Sequence, residues 1–345
     1  MRARLASALL LVALAAPSAG CVSFHRGAMR GEPENATFAE LRGTRMRYRD
    51  EGPEGAPAVV MIHGFASSLE TWLAVAPALR DRYRVLSLDL KGFGWTDRAE
   101  GDYSPEEQAR LVLALMDERG IDRAAIVAHS YGSSVALQMA LIAPERVSRI
   151  ALYDAWVYSA QLPTFFHMAR AENLGEAMFA MWYGERAEDR LALAFYDQRY
   201  VTMELVDDIQ RALDRPGTYA AALAAVRGMH YEQIEGRYRE VRQPVLLQWG
   251  REDRVTPLAI GERLLRELPD AELVAHPLCG HFPMIEAIEA SNHRLVTFLD
   301  AGLAGGRWSA PTSGGEQTES APDEGRSAGT DEIAAPDLEN GGAVP

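Results

Sequence analysis

The chain has 345 residues, 35 Lys+Arg against 49 Asp+Glu, and a net charge of −14. At roughly 150 residues per domain, that length allows two domains or one large domain with an insertion. With 48% apolar residues it can build a core, while the acidic balance excludes a phosphate-tracking nucleic-acid binder and two cysteines exclude a disulfide framework or a Cys-rich zinc site.

Residues 1–20 begin with Arg2 and Arg4, continue as an apolar stretch from Leu5, and end in small residues. That stretch is too short to span about 30 Å of hydrocarbon and has the layout of a secretory signal. Ser18-Ala19-Gly20-Cys21 resembles a bacterial lipobox, with Ser18 where Leu is usual. The resemblance implies cleavage before Cys21, lipidation of Cys21 and export to the cell envelope as a membrane-anchored lipoprotein. Val22 after the Cys suits the outer membrane, on its periplasmic or extracellular face. The alternative is an ordinary signal peptide cut near Ala19. Residues 21–36 lack periodicity and are expected to be a tether.

From Thr37 onward, short apolar runs alternate with helical patterns, the signal for βα units on a mostly parallel sheet. Residues 44–50 suit an antiparallel edge strand. The strand runs are 58–62, 85–88, 124–128, 150–153 and 245–249, with a weaker one at 273–275. Helices are expected at Pro105–Arg119 (with Ser104 as N-cap), Tyr131–Ala143 and Pro257–Leu268. About ninety residues separate Asp154 from Val245, far more than a crossover needs. They are expected to form helices around 163–183, 188–198, 201–213 and 217–229, and their Phe and Met side chains mostly pack on one another. This gives a core in two parts, 37–154 and 242–304, interrupted by a helical cap over 155–241. Residues 305–345 are rich in Gly, Ser, Pro and acids, with eight carboxylates against two arginines. Such a tail cannot offset its ordering entropy and is expected to be disordered.

The chemistry lies at strand ends. Ala128-His129-Ser130-Tyr131-Gly132 follows a strand and precedes a helix, and resembles the G-x-S-x-G nucleophile elbow of the α/β-hydrolase superfamily, with Ala128 in place of the first Gly. His63-Gly64-Phe65 resembles that family's oxyanion loop. Asp89-Leu90-Lys91-Gly92-Phe93-Gly94-Trp95-Thr96-Asp97 resembles its D-x-x-G-x-G-x-S/T-D loop, Trp249–Pro257 the loop carrying the acid, and Gly280-His281-Phe282-Pro283 the loop carrying the His. The order Ser, Asp, His is the one this fold uses.

The resemblance implies an α/β-hydrolase fold: a mostly parallel sheet flanked by helices, with an inserted helical cap. It also implies a Ser130–Asp253–His281 triad, with Phe65 and Tyr131 N–H groups as the oxyanion hole. Asp154, at the end of the strand after the elbow helix, is the alternative acid. His63 and His129 are expected to be turn and scaffold residues, His276 ends a strand and lacks the flanking Gly of the base, Asp89 and Asp97 are expected to fix their loop, Cys279 to be a small buried residue, and Lys91 to be an exposed loop charge. No cluster has metal-ligand spacing and no G-x-G-x-x-G follows a strand, so neither metal nor cofactor is expected.

A Ser nucleophile implies ester hydrolysis of a small to medium, partly apolar substrate through an acyl-enzyme. The alternatives are a C–C bond hydrolase, whose elbow commonly has Asn before the Ser, and a non-catalytic surface binding protein. The expected partners are a small-molecule ester and, through Cys21, a membrane, with no nucleic acid.

Overall fold

The computed structural model describes residues 22–183 and 187–303, the side chains of residues 182 and 183 excepted. The expected leader, Cys21 and the acidic tail lie outside the described residues. Its first four strands are β1 (Thr37–Leu41), β2 (Thr44–Glu51), β3 (Ala58–Ile62) and β4 (Arg84–Leu88). The others are β5 (Ala124–His129), β6 (Val147–Tyr153), β7 (Val245–Gly250) and β8 (Ala271–His276). They form one sheet in the order β1-β2-β4-β3-β5-β6-β7-β8. β2 runs antiparallel to β1 and β4, and every other neighbouring pair is parallel.

Because the central strands are covered on both faces, β5 and β7 are buried along their whole length and show as continuous apolar runs. The pleat sends Val60 and Ile62 into one core and Val59 and Met61 into the other. The sequence pattern missed β1. It pairs with β2 across Arg42 and Gly43, both at positive φ (51° and 76°). A two-residue hairpin of this kind needs that conformation twice, and Arg in place of the usual Asn or Asp hides the signal.

Two long helices flank the middle of the sheet: α1 (Pro105–Glu118) and α2 (Tyr131–Ile142). Pro105 opens α1, and the Ser104 side chain accepts from Glu107 N–H at 3.2 Å, satisfying one of the orphan donors of the first turn.

The segment between β6 and β7 is helical. It contains α3 (Thr164–Ala169), α4 (Leu174–Met178), α5 (Ala187–Ala194), α6 (Met203–Leu213) and α7 (Thr218–Gly228). The single helix expected over 163–183 is broken at Asn173, whose φ is +63°. Phe166, Met178, Phe179 and Phe195 are buried, whereas Met168, Met181, Tyr196 and Tyr200 are exposed, so only part of the aromatic and Met content is internal core. The chain returns through α8 (Leu258–Glu267), α9 (Pro283–Glu286) and α10 (Ile288–Leu303). No helix among the described residues is long and apolar enough to cross a membrane.

The segment expected to be a tether is held against the body. His25 and Arg98 exchange backbone hydrogen bonds at 2.9 and 3.0 Å, Gly27 N–H donates to Asp97 Oδ1 at 2.8 Å, and Met29 is buried. Its order comes from these tertiary contacts, which leave no periodicity in the sequence.

Candidate active site

The parallel strands point their C-terminal ends to one edge, where ligands bind in folds of this kind. β5 ends at His129, and Ser130 takes φ +50° and ψ −120° before α2 begins at Tyr131. A non-glycine residue held there is strained, and the turn is fixed from both sides. Ser130 N–H donates to Tyr153 O at 2.9 Å, and Ser130 O accepts from Ser133 and Trp156 N–H at 2.9 and 3.1 Å. A Cβ on Gly132 would lie 2.5 Å from His63 O and 2.6 Å from Ile62 O, so only glycine lets α2 start this close to the end of β3. Ala128, the departure from the elbow pattern, is fully buried between Ile62 and Leu152, and the sheet accommodates its methyl group.

The β3 end brings Phe65 beside the elbow. A Cβ on Gly64 would lie 3.0 Å from Ser130 Cβ, and the Phe65 and Tyr131 rings are 6.1 Å apart. Tyr131 is the first residue of α2, so its N–H has no acceptor within the helix and faces the region of the strand ends. Phe65 also packs on Phe93, Trp156 and Phe166 at 5.3–6.4 Å, forming an aromatic wall. Sequence reasoning missed Trp156 as part of it, because a residue three past the end of β6 carries no periodic signal.

The loop after β7 holds Asp253. Its Oδ1 accepts from Val255 and Thr256 N–H at 2.7 and 3.0 Å, and its Oδ2 from Thr256 Oγ1 at 2.7 Å and His281 Nδ1 at 2.8 Å. Burial pushes the carboxyl up, but the His281 charge and hydrogen bond, with the Thr256 hydroxyl, overcome it and bring the pKa down to about 2. Thr256 is a second residue that sequence reasoning missed, although its place in the Trp249–Pro257 loop was the available signal.

His281 is anchored by its backbone. Its N–H donates to Ala194 O at 2.7 Å, and His129 Nε2 donates to His281 O at 2.8 Å. Its ring lies 4.7 Å from that of His129, the neighbour of Ser130. Glu286 accepts from Gly280 N–H at 2.7 Å and from Asp197 N–H at 2.8 Å, tying the His281 loop to the helical segment.

The rival histidines are tied elsewhere. Leu90 N–H donates to His63 Nε2 at 2.9 Å, which leaves Nδ1 to donate to Gly64 O at 2.7 Å. Burial lowers the pKa of His63 and, to a greater degree, of His129. His276 Nε2 bonds Gln248 Oε1 at 2.9 Å. Asp89 accepts from Leu69 and Trp95 N–H, and Asp97 from Gly27 and Arg45 N–H, so both brace their loop. Cys279 is fully buried, and burial pushes its thiol far up. Lys91 corrects its expectation. It is 6% exposed, donates to Asp102 O at 3.1 Å and lies 4.5 Å from the Tyr103 ring centre. The glycine-rich loop folds it inward against Tyr103, and burial lowers its pKa.

Asp154 lies beside the pair, with ligand atoms of Asp154, Asp253 and His281 all within 4.8 Å. A cation there would displace the four donors that already fill the Asp253 oxygens, so this set fits an ionised Asp–His pair better than a metal site. Asp154 Oδ1 accepts from Gly250 N–H at 2.9 Å.

A model of the alpha/beta hydrolase fold family matches residues 57–288. The 2-hydroxy-6-oxo-6-phenylhexa-2,4-dienoate hydrolase of Burkholderia cepacia is 30% identical over 271 residues, covering 76% of this chain and 93% of the relative. A meta-cleavage product hydrolase from Pseudomonas fluorescens IP01 has a TM-score of 0.67 at 27% identity, over 76% of this chain and 97% of its own. A membrane phospholipase A, described as a bacterial virulence factor, has a TM-score of 0.65 at 25% identity, over 88% and 99%. With two thirds of its length matched by the family model and an eight-stranded sheet of this order, the chain belongs to the α/β-hydrolase superfamily.

Proposed function

We propose that the protein is a serine hydrolase that cleaves an ester bond of a small to medium, partly apolar substrate through an acyl-enzyme. The carrying observation is the buried His281 Nδ1–Asp253 Oδ2 contact at 2.8 Å, set beside a serine held at φ +50°. A serine hydroxyl is a weak nucleophile at neutral pH and needs a base. His281 takes the Ser130 proton as Oγ attacks the carbonyl carbon, then returns it to the leaving alcohol. Asp253, ionised, keeps the His281 proton on Nδ1 and stabilises the imidazolium. Phe65 and Tyr131 N–H groups hold the oxyanion, where one lost donor typically costs about 10²–10³ in rate. Water then attacks the acyl-enzyme by the same path. The Ser130–His281 hydrogen bond of this mechanism forms when substrate is bound, as is common for sites that are loose when empty.

The aromatic wall of Phe65, Trp156 and Phe166 supports an apolar acyl part. The likeness to a membrane phospholipase A accords with an acyl ester from a lipid environment. A C–C bond hydrolase is the second reading, favoured by relatives named as a dienoate hydrolase and as dienedioate/trienedioate hydrolases at 29–30% identity. A dienoate carries a carboxylate, which calls for a cation in the site. The buried cations among the described residues are engaged elsewhere: Arg47 with Asp89 and Glu70, Lys91 with Asp102 O, Arg98 with Thr96 O, Gly94 O and Thr218, and Arg149 with Phe298 O. This favours the neutral ester.

The test runs p-nitrophenyl esters of rising chain length beside a dienoate substrate, with fluorophosphonate labelling. Ser130→Ala and His281→Ala should keep their fold and lose roughly 10⁴-fold or more in kcat, and Ser130→Ala should lose the label. Turnover retained in either variant removes that residue from the mechanism. Absence of labelling in the wild type leaves a non-catalytic binding protein.

A further inference from the structure

Two carboxyl groups share one buried site, and their surroundings are unequal. Asp253 receives four donors: Val255 N–H, Thr256 N–H, the Thr256 hydroxyl and His281 Nδ1. Asp154, with no measurable exposure, receives one, Gly250 N–H on Oδ1. Its Oδ2 is buried and has no hydrogen-bond partner among the described residues. Two carboxylates within 4.8 Å in a buried site cannot both ionise at moderate cost. The proton goes to the carboxyl that has fewer donors and an oxygen free to carry it.

We infer that Asp154 is a neutral carboxylic acid that acts as a positioning residue, offering its proton on Oδ2 to the Asp253 carboxylate while Oδ1 holds the Gly250 N–H. The inference rests on Asp253 being the acid of the triad. The residue sits at the end of β6 with φ +45°, a strained conformation for a non-glycine side chain, and this turns it toward the loop after β7. The titratable groups around it are Asp253, His281 and Cys279 on the neighbouring loops, Glu286 on α9 and Tyr153 on β6. Of these only protonated His281 is cationic, and it is engaged with Asp253. Burial first, then the charge of Asp253, pushes the Asp154 carboxyl well above the ordinary carboxylate range. A neutral acid here adds a further donor to Asp253, steadying its rotamer against His281 without adding a second negative charge to the site.

Asn is the neutral isostere: its Oδ1 can accept from Gly250 N–H and its Nδ2 can donate to Asp253. Asp154→Asn should keep kcat/KM within about threefold of wild type, whereas Asp154→Ala should lose about tenfold, mostly in kcat. The acid limb of the Asp154→Ala pH profile should also move upward, because Asp253 without this donor is more basic and strengthens protonated His281. Infrared spectra at neutral pH should show a protonated-carboxylic C=O band in the wild type that Asp154→Asn lacks. If Asp154→Asn fails to fold, wild-type protein carrying ¹³C-labelled aspartate carboxyls decides the matter by NMR. One carboxyl at the protonated shift at neutral pH supports the inference, and none overturns it.

A loss of roughly 10⁴-fold in Asp154→Asn, matching that of Asp253→Asn, would also overturn it by making Asp154 the ionised acid. Asp253→Asn and Ser130→Ala, run alongside, separate the two readings. Turnover surviving in both removes the triad, while the infrared band still reports where the proton sits.

Discussion

Asp253 and Asp154 carry opposite shifts, and these act in opposite directions on stability. Asp253 is depressed from its ordinary 3.8 to about 2. The folded state therefore gains roughly 2 kcal/mol that is fully present above pH 3.8 and lost as pH falls toward 2. Asp154 is raised, so above about pH 4 the unfolded chain releases a proton that the folded chain retains. Each further pH unit then costs the wild type about 1.4 kcal/mol until the folded carboxyl ionises. Asp154→Asn has no such proton to lose. Urea denaturation across roughly pH 3 to 9 should show the two proteins alike near pH 3, with the variant increasingly more stable above about pH 4. Parallel curves over the whole range would mean that Asp154 titrates normally. Ser130, Asp253 and His281 were legible because each sits in a short motif whose neighbours are demanded by backbone geometry. The state of Asp154 was not, since it depends on burial and on a contact across 99 positions of chain.

At the scale of elements, β7, which leads to Asp253, and the loop that carries His281 touch through their backbones. A Cβ on Gly250 would lie 1.8 Å from Gly280 O and 2.6 Å from Cys279 O, and neither carbonyl is the end of a flexible side chain. Gly250→Ala must push the His281 loop away from β7 and disturb the N–H that Asp154 accepts. It should cost at least about 1–3 kcal/mol by thermal denaturation and lower kcat more than it raises KM. Gly236→Ala, where a Cβ meets nothing within 4 Å, should stay within about 0.5 kcal/mol of wild type and serves as the control. Equal effects in the two variants would remove the steric argument. The buried strands were legible as apolar runs, and α1 through its Ser104-Pro105 start. The β1–β2 hairpin was not, because Arg42 takes a positive φ that the usual turn formers would have signalled, and the break at Asn173 was not, because a lone Asn inside a helical pattern does not by itself mark a stop.

For the whole molecule, the net charge of −14 overstates the acidity of the residues before 305, since residues 305–345 carry eight carboxylates against two arginines. Apolar exposure is more informative. Of eleven large apolar side chains exposed among the described residues, seven belong to the segment between β6 and β7: Met168, Leu174, Met181, Leu193, Tyr196, Tyr200 and Met203. Val22 and Phe24 line a cavity of about 490 Å³ together with Leu223 and Ala224 of α7 and with Glu176 of α4. The residue after Cys21 is thus seated on the same helical segment. One residue spans about 3.5 Å, so a lipid on Cys21 would hold that segment close to the membrane surface. We propose that Cys21 is lipidated, and on that proposal Cys21→Ser should abolish fatty-acid incorporation and move the protein from the membrane to the soluble fraction. Ser130, Asp253 and His281 are untouched, so turnover of a water-soluble short-chain ester should match wild type, while turnover of an ester presented in vesicles should fall. Unchanged radiolabelling would refute lipidation at Cys21. Labelling lost without any drop on vesicle substrate would separate the anchor from access to the site.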